Sequence, residues 1–215
     1  MFLNRWTLSK KLYFGFGIVI ILLLIVLTNT YINYEKQANA TIDNLRTYEI
    51  MRESQAILES LINMETGARG YVLAGKEDFL QPYYQGQADY DVHFARLRSM
   101  TEDNPEQQQK LMLLNAHFES WFEWETEYII GGRKQINSGL MNIDDVAALI
   151  QTSRGKTEME NMRAVLRDIT EEEQRLLDIR TENLRKAEKN MSLIITAGGI
   201  SVILLAIVIS ILTAS

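Results

Sequence analysis

The chain has 215 residues, a formal net charge of -6, 47% hydrophobic residues, two prolines and no cysteine. The acidic balance, with no basic stripe carrying interleaved aromatics, argues against nucleic acid as a partner. Without cysteine, neither disulfides nor thiolate metal ligands can brace a domain, so any core must come from apolar burial.

Two charge-free apolar stretches bracket the sequence, Leu12 to Tyr34 and Met191 to Ser215. Each exceeds the roughly 18 to 20 residues that a helix needs to cross a hydrocarbon core about 30 Å thick. Both are therefore expected to be transmembrane helices, the form that satisfies every backbone polar group internally. A cleaved signal peptide is the rival for the first stretch. Its apolar run is too long for that, and Thr28-Asn29-Thr30 offers no small-residue cleavage site. Arg5, Lys10 and Lys11 place residues 1–11 in the cytoplasm, because basic residues beside the first membrane helix set the orientation. Residues 12–34 then cross, residues 35–190 are extracytoplasmic and residues 191–215 cross back.

The exported segment reads as four helices. The first continues from the membrane and carries a stripe through Leu45, Tyr48, Arg52, Gln55, Leu58, Leu61 or Ile62, Glu65, Arg69 and Val72. Gly75 is its expected stop. The second begins near Asp78, with Phe79, Leu80, Tyr83, Tyr84, Gln87, Tyr90, Phe94 and Leu97 at helical spacing and Pro82 in its first turn. Asn104 then caps a third helix opened by Pro105, whose seam is Leu111, Leu114, Phe118, Trp121, Glu125 and Tyr128.

A polar connection is expected between Gly131-Gly132 and Ser138-Gly139. Asn142 and Asp145 resemble a capping box. From there Val146, Leu149, Ile150, Met162, Val165, Leu166, Ile169, Leu176 and Ile179 lead without proline into the second apolar stretch, making the fourth helix the longest. Gly155 is its weak point, where a bend or a new start near Thr157 is foreseen. Short connections favour antiparallel neighbours. The expected fold is all-α, two transmembrane helices flanking an antiparallel four-helix-bundle extracytoplasmic domain.

The densest motif runs from Glu65 to Tyr83. Glu65 and Arg69 stand four apart, acid before base, on one helical face, and Gly67 and Gly70 let a helix or a ligand approach the backbone closely. The stretch resembles the signature of the CHASE3 family in Glu65, Thr66, Gly67, Arg69, Gly70, Tyr71, Leu73, Gly75, Phe79, Leu80, Pro82 and Tyr83. Val72 and Ala74 stand where leucine and threonine are usual. The opening from Leu8 to Gly17 is also similar, more loosely, to that of bacterial chemoreceptors and sensor kinases. The resemblance covers about residues 41–190. It implies the sensory input region of a bacterial inner-membrane receptor, a homodimer whose second membrane helix drives a cytoplasmic output such as a chemoreceptor or histidine kinase module beyond Ser215.

The ligand or latch candidates are Glu65, Thr66, Arg69, Tyr71, Tyr83 and Glu125. Glycine flanks favour a latch for the Glu65/Arg69 region. Glu125, a carboxylate at a core position, needs a partner; Arg69 is the expected one and solvent the alternative. Trp121, Phe122, Trp124 and Tyr128, with Tyr83, Tyr84 and Tyr90, read as core before pocket. His93 and His117 lack metal-ligand spacing, and no nucleophile-base pair or phosphate loop emerges. No metal, cofactor or enzymatic activity is expected in this region. The cue, a small molecule, a protein or a mechanical input, is left open, and a membrane-tethered scaffold that binds a partner protein is the alternative function.

Overall fold

The computed structural model describes residues 7–214, so Arg5 and Ser215 lie outside the described residues. Every described element is helical: α1 (Leu8–Ala74), a 3-10 turn (Glu77–Leu80), α2 (Gln81–Met100), α3 (Pro105–Glu123), a π-helix (Trp124–Ile130), α4 (Gly131–Asn137), α5 (Ile143–Gln151) and α6 (Arg154–Ala214). The expected all-α class holds. Contacts divide the chain into two units, Met1–Asn44 with Asp178–Ser215, and Leu45–Leu177.

In the first unit the apolar parts of α1 and α6 are long and apolar enough to cross a membrane, with windows of mean hydropathy 2.5 and 2.7. Only 6% and 0% of those windows is buried within the chain, unlike the core helix of a soluble domain, which hides most of its apolar surface. Asn29, Thr30 and Asn33 donate side-chain hydrogen bonds to carbonyls one turn back on α1, at 2.8 to 3.0 Å, so their polar groups are met within the helix. Gly15 abuts Ile209 and Gly198 abuts Val26, where a Cβ would come within 2.5 Å and 3.0 Å of those side chains.

The second unit has one large core, to which α1 gives Ile50, Ile57, Leu61, Met64 and Tyr71, α2 Tyr83, Tyr90 and Leu97, α3 Leu111, Leu114, Phe118 and Trp121, and α6 Met159, Met162, Val165, Leu166 and Ile169. Each such large apolar side chain adds about 1.5 to 3 kcal/mol by leaving water. A smaller cluster of Val72, Trp124, Ile129 and Val146 lies beside it.

The terminators work as their residue types require. Gly75 ends α1 at φ +68, and its amide donates to the Tyr71 carbonyl at 2.8 Å. Asn104 Oδ1 accepts the amides of Glu106 and Gln107 at 3.2 Å, with Pro105 opening α3. The Asp145 carboxylate accepts the Asn142 amide at 3.0 Å, closing the acidic half of the expected box.

Six expectations are corrected. The buried face of α1 is Thr47, Ile50, Glu53, Ser54, Ile57, Leu61, Met64, Ala68 and Tyr71; Leu45, Tyr48, Arg52, Gln55 and Ile62 are exposed. Small and polar residues occupy that face, so apolar periodicity pointed to the neighbouring one. Phe79 and Tyr84, Ile150 and Ile179 are likewise exposed rather than buried. The seam of α3 runs through Glu125 but not Tyr128, because each i→i+5 turn of the π-helix takes an extra residue and turns Ile129 and Ile130 inward instead. Residues 131–137 form α4 rather than a loop, leaving only the turn around Gly139, at φ +74.

Finally, α5 is separate from α6. Thr152 and Ser153 break the run, Ser153 adopting a left-handed φ of +61 that is uncommon outside glycine, and α6 restarts at Arg154, near the foreseen weak point. At 67 residues α1, not the last helix at 61, is the longest.

Candidate functional site

The Glu65–Tyr83 motif turns the chain from α1 into α2, and its glycines explain how. A Cβ at Gly67 would lie 2.6 Å from the Tyr83 amide nitrogen, so only glycine lets the start of α2 lie directly on α1. Gly86, one turn onward, meets the Ser60 carbonyl as closely, at 2.6 Å. Between these contacts Tyr83 is 2% exposed. Its hydroxyl shares a hydrogen bond of 2.8 Å with Thr126 Oγ1 in the π-helix. Burial, partly offset by that bond and reinforced by the Glu125 charge, pushes the Tyr83 phenol up to about 12. Tyr71 is buried in the core and Thr66 is exposed; neither these two nor Tyr83 lines the cavity that the other candidates share.

Glu65, Arg69 and Glu125 do come together. They line a cavity of about 350 Å³ whose other walls are Val72, Leu73, Trp121, Trp124, Ile129, Ile150, Gly155 and Lys156. That volume lies at the lower end of the roughly 300 to 1,000 Å³ range of small-molecule sites. The cavity touches both hydrophobic clusters, Trp121 belonging to the large core and Val72, Trp124 and Ile129 to the small one.

The charges inside it are arranged unequally. Arg69 Nη2 pairs with Glu65 Oε1 at 2.6 Å, and Arg163 of α6 approaches the other Glu65 oxygen at 3.7 Å. The Arg69 side chain is 70% exposed, so this pair belongs to the rim, where such pairs contribute under about 1 kcal/mol. Glu125 is 6% exposed, and no hydrogen bond or ion pair among the described residues reaches its carboxylate. The expected Glu125–Arg69 pair is thus not formed; Arg69 is taken by its own helix neighbour, four residues away. Burial, with the nearby Glu65 charge adding and Arg69 opposing, pushes the Glu125 carboxyl up to about 7.

The glutamate continues the buried seam of α3 and lies in the π-helix, a local widening that recurs at functional sites. Periodicity places Glu125 at a core position; nothing in the sequence marks the π-turn, the cavity or Lys156. Gly155 carries a signal, since a glycine inside a helix needs a reason. A Cβ there would stand 3.2 Å from the Trp124 ring and 3.8 Å from Glu125 Oε2. The aromatics divide accordingly: Trp121, Trp124, Tyr83 and Tyr90 are buried, Tyr84 and Tyr128 exposed.

Elsewhere in this unit the buried acids Glu53 and Glu173, and the half-buried Glu158, are satisfied. Glu53 in α1, 2% exposed, accepts from His93 Nδ1 at 2.6 Å and Arg52 Nη2 at 3.1 Å. Burial raises its pKa, but these hydrogen bonds and charges outweigh it and hold the carboxyl below the ordinary glutamate range. Glu173 of α6 accepts from Thr47 Oγ1 at 2.9 Å and Gln107 Nε2 at 3.2 Å, and Glu158 accepts from His117 Nδ1 at 2.7 Å and Ser120 Oγ at 3.1 Å. Both histidines therefore serve helix-to-helix contacts, and no group of metal-ligating side chains occurs among the described residues.

Comparison with known proteins agrees with the motif. No curated protein and no solved structure matches the chain. The CHASE3 domain model matches residues 40–183, well over half of the sequence and nearly the span that the motif implied. The chain, with its Glu65–Tyr83 signature folded into the α1–α2 junction, belongs to the CHASE3 family of extracytoplasmic sensory domains found in bacterial receptors.

Proposed function

We propose that this chain is the signal-input region of a bacterial transmembrane receptor, in which residues 35–190 form an extracytoplasmic antiparallel four-helix bundle and residues 12–34 and 191–215 cross the inner membrane. A cue biases two arrangements of the bundle, and α6 carries the difference to a cytoplasmic output module of chemoreceptor or histidine kinase type. The role is non-catalytic. The observation that carries the reading is the continuity of α6: the helix that supplies Gly155 and Lys156 to the cavity and five side chains to the core continues unbroken through the apolar stretch to Ala214.

A continuous helix transmits a shift or rotation because its backbone bonds resist local bending, and small helix shifts are an established means of switching. The cue must bind the two arrangements unequally. A homodimer is supported by Leu45, Tyr48 and Ile62, large apolar side chains left exposed along α1.

The absence of cysteine makes single-cysteine variants clean reporters. Labelling by a membrane-impermeant maleimide should reach a cysteine at Thr41 or Gln109 in intact cells but not one at Lys10; the reverse pattern would overturn the orientation. Joined to a kinase module, Ala187→Pro should uncouple the cue from output while leaving the cavity unchanged, since proline breaks the helix between the two. A full response in that variant would sink transmission through α6.

A further inference from the structure

We propose that the cavity between α1, the π-helix and α6 binds a small organic ammonium ion with an apolar body, its charged end on the Glu125 carboxylate and its body against Trp121, Val72 and Ile129. The proposal names the class of cue and so rests on the sensory reading above.

Glu125 is the determining group. It is more than nine-tenths buried, lines the cavity and has no protein partner within hydrogen-bond or ion-pair distance among the described residues. An unpaired buried carboxylate is unfavourable, whereas a ligand N–H donor that also brings positive charge relieves both the missing bonds and the charge. The glycine at 155 keeps the approach open, because any side chain there would stand against Trp124 and near Glu125 Oε2.

An organic anion fits less well. The cations that border the cavity, Arg69 and Lys156, are exposed, and Arg69 is already held by Glu65, so positive charge stands at the mouth and negative charge inside. The indole of Trp124 already carries the Arg154 guanidinium, 5.0 Å from its centroid. Recognition of a second cation therefore falls to Glu125, with the aromatic and aliphatic walls selecting the apolar body.

The charged groups that act on Glu125 are Glu65 and Arg69 from α1; Tyr83 of α2 feels its charge, Lys156 of α6 lines the same cavity, and α3 and α5 contribute only Trp121 and Ile150. Since the carboxyl is protonated in a large fraction of molecules near neutrality, an ammonium must displace that proton. Binding should release a proton from Glu125 below about pH 7 and tighten as pH rises toward about 8.

The test is titration of the full chain in lipid nanodiscs with phenethylamine, read by tryptophan fluorescence and by calorimetry in two buffers of different ionisation enthalpy. Expected are saturable binding with proton release near about pH 6, and at least about tenfold weaker binding of phenethyl alcohol and phenylpropionate. Glu125→Gln should weaken phenethylamine by at least about tenfold and abolish the proton release. Ile150→Trp, which fills the mouth from a half-exposed position on α5, should block binding with the carboxylate intact. Equal binding of the carboxylate, undiminished binding in Glu125→Gln, or no saturable binding of phenethylamine overturns the proposal. The last result leaves the sensory reading standing. Binding that never alters the output of a kinase-fused chain would instead sink the sensory reading and keep the site.

Discussion

Glu53 and Glu125 are hidden from solvent almost equally, at 2% and 6% exposure, and lie in the same helical unit. Glu53 faces His93 at 2.6 Å, with Arg52 at 3.1 Å and Arg96 at 3.9 Å, and its carboxyl is held below the ordinary range. Glu125 faces Trp121, Trp124 and a cavity, and its carboxyl is pushed up to about 7. Similar exposure thus accompanies opposite acid strengths: desolvation disfavours the charge in both, Glu125 lies the deeper of the two, and only Glu53 has donors that reverse the effect. A buried acid with its partners built in ties α1 to α2. One left without them holds binding capacity for something outside the chain.

The largest expected effect breaks this comparison at Glu125. Its folded pKa lies above the ordinary 4.5, so its contribution is most favourable below about pH 4.5 and is lost as pH rises through about 7. At about 1.4 kcal/mol per pH unit between those two values, ionised Glu125 costs the fold about 3 kcal/mol by about pH 8. Glu125→Gln should therefore be more stable than the parent at that pH and nearly equal to it near about pH 5. Thermal unfolding of the full chain at both pH values measures this; a variant no more stable at the higher pH would mean that Glu125 has partners in solution.

Next is His93→Leu, which takes the nearest donor from Glu53 and should cost about 2 kcal/mol near neutral pH. Because the Glu53 pKa is depressed, the stability it brings is present above about pH 4.5 and lost as pH falls through its folded value. The gap between parent and variant should narrow on acidification. A gap that widens would remove Glu53 from the satisfied side of the comparison.

Gly67→Ala should cost about 1 to 2 kcal/mol, since the added methyl meets the Tyr83 backbone rather than a side chain that can rotate away. Its effect should be independent of pH and leave the Glu125 titration in place, marking the motif glycine as a helix contact. A loss of phenethylamine affinity at unchanged stability would move Gly67 to the ligand side.

The smallest change in stability is expected for Arg69→Ala, under about 0.5 kcal/mol, because the pair with Glu65 is largely exposed and Arg163 stays near that acid. The informative readout is the Glu125 titration by infrared spectroscopy, which should move upward once the opposing positive charge is removed. A large loss of stability would support the latch reading of the Glu65–Arg69 pair.

Much of the molecule was legible from local chemistry. Apolar run length marked the ends of α1 and α6, and Gly75, Asn104 with Pro105, and Asp145 ended or began helices where their backbone and capping preferences require. The motif fixed the family and drew attention to Glu65, Arg69 and Gly67. These signals lie in a few consecutive residues, so no tertiary information was needed to read them.

What the fold decided depends on neighbours from distant parts of the chain. The buried face of α1 carries Thr47 and Glu53 because α6 and α2 supply their partners, Glu173 and His93, while Ser54 bonds the Ile50 carbonyl of its own helix; a hydrophobicity pattern cannot register a polar residue satisfied from across the core. The partner of Arg69 was likewise settled by reach, its helix neighbour Glu65 lying closer than Glu125. The sequence by itself determined the all-helical class, several helix ends, the apolar ends and the family. Only the tertiary structure, which sets Glu125 against a cavity bordered by Gly155 and gives Arg69 to Glu65, decided which carboxylate was left without a partner.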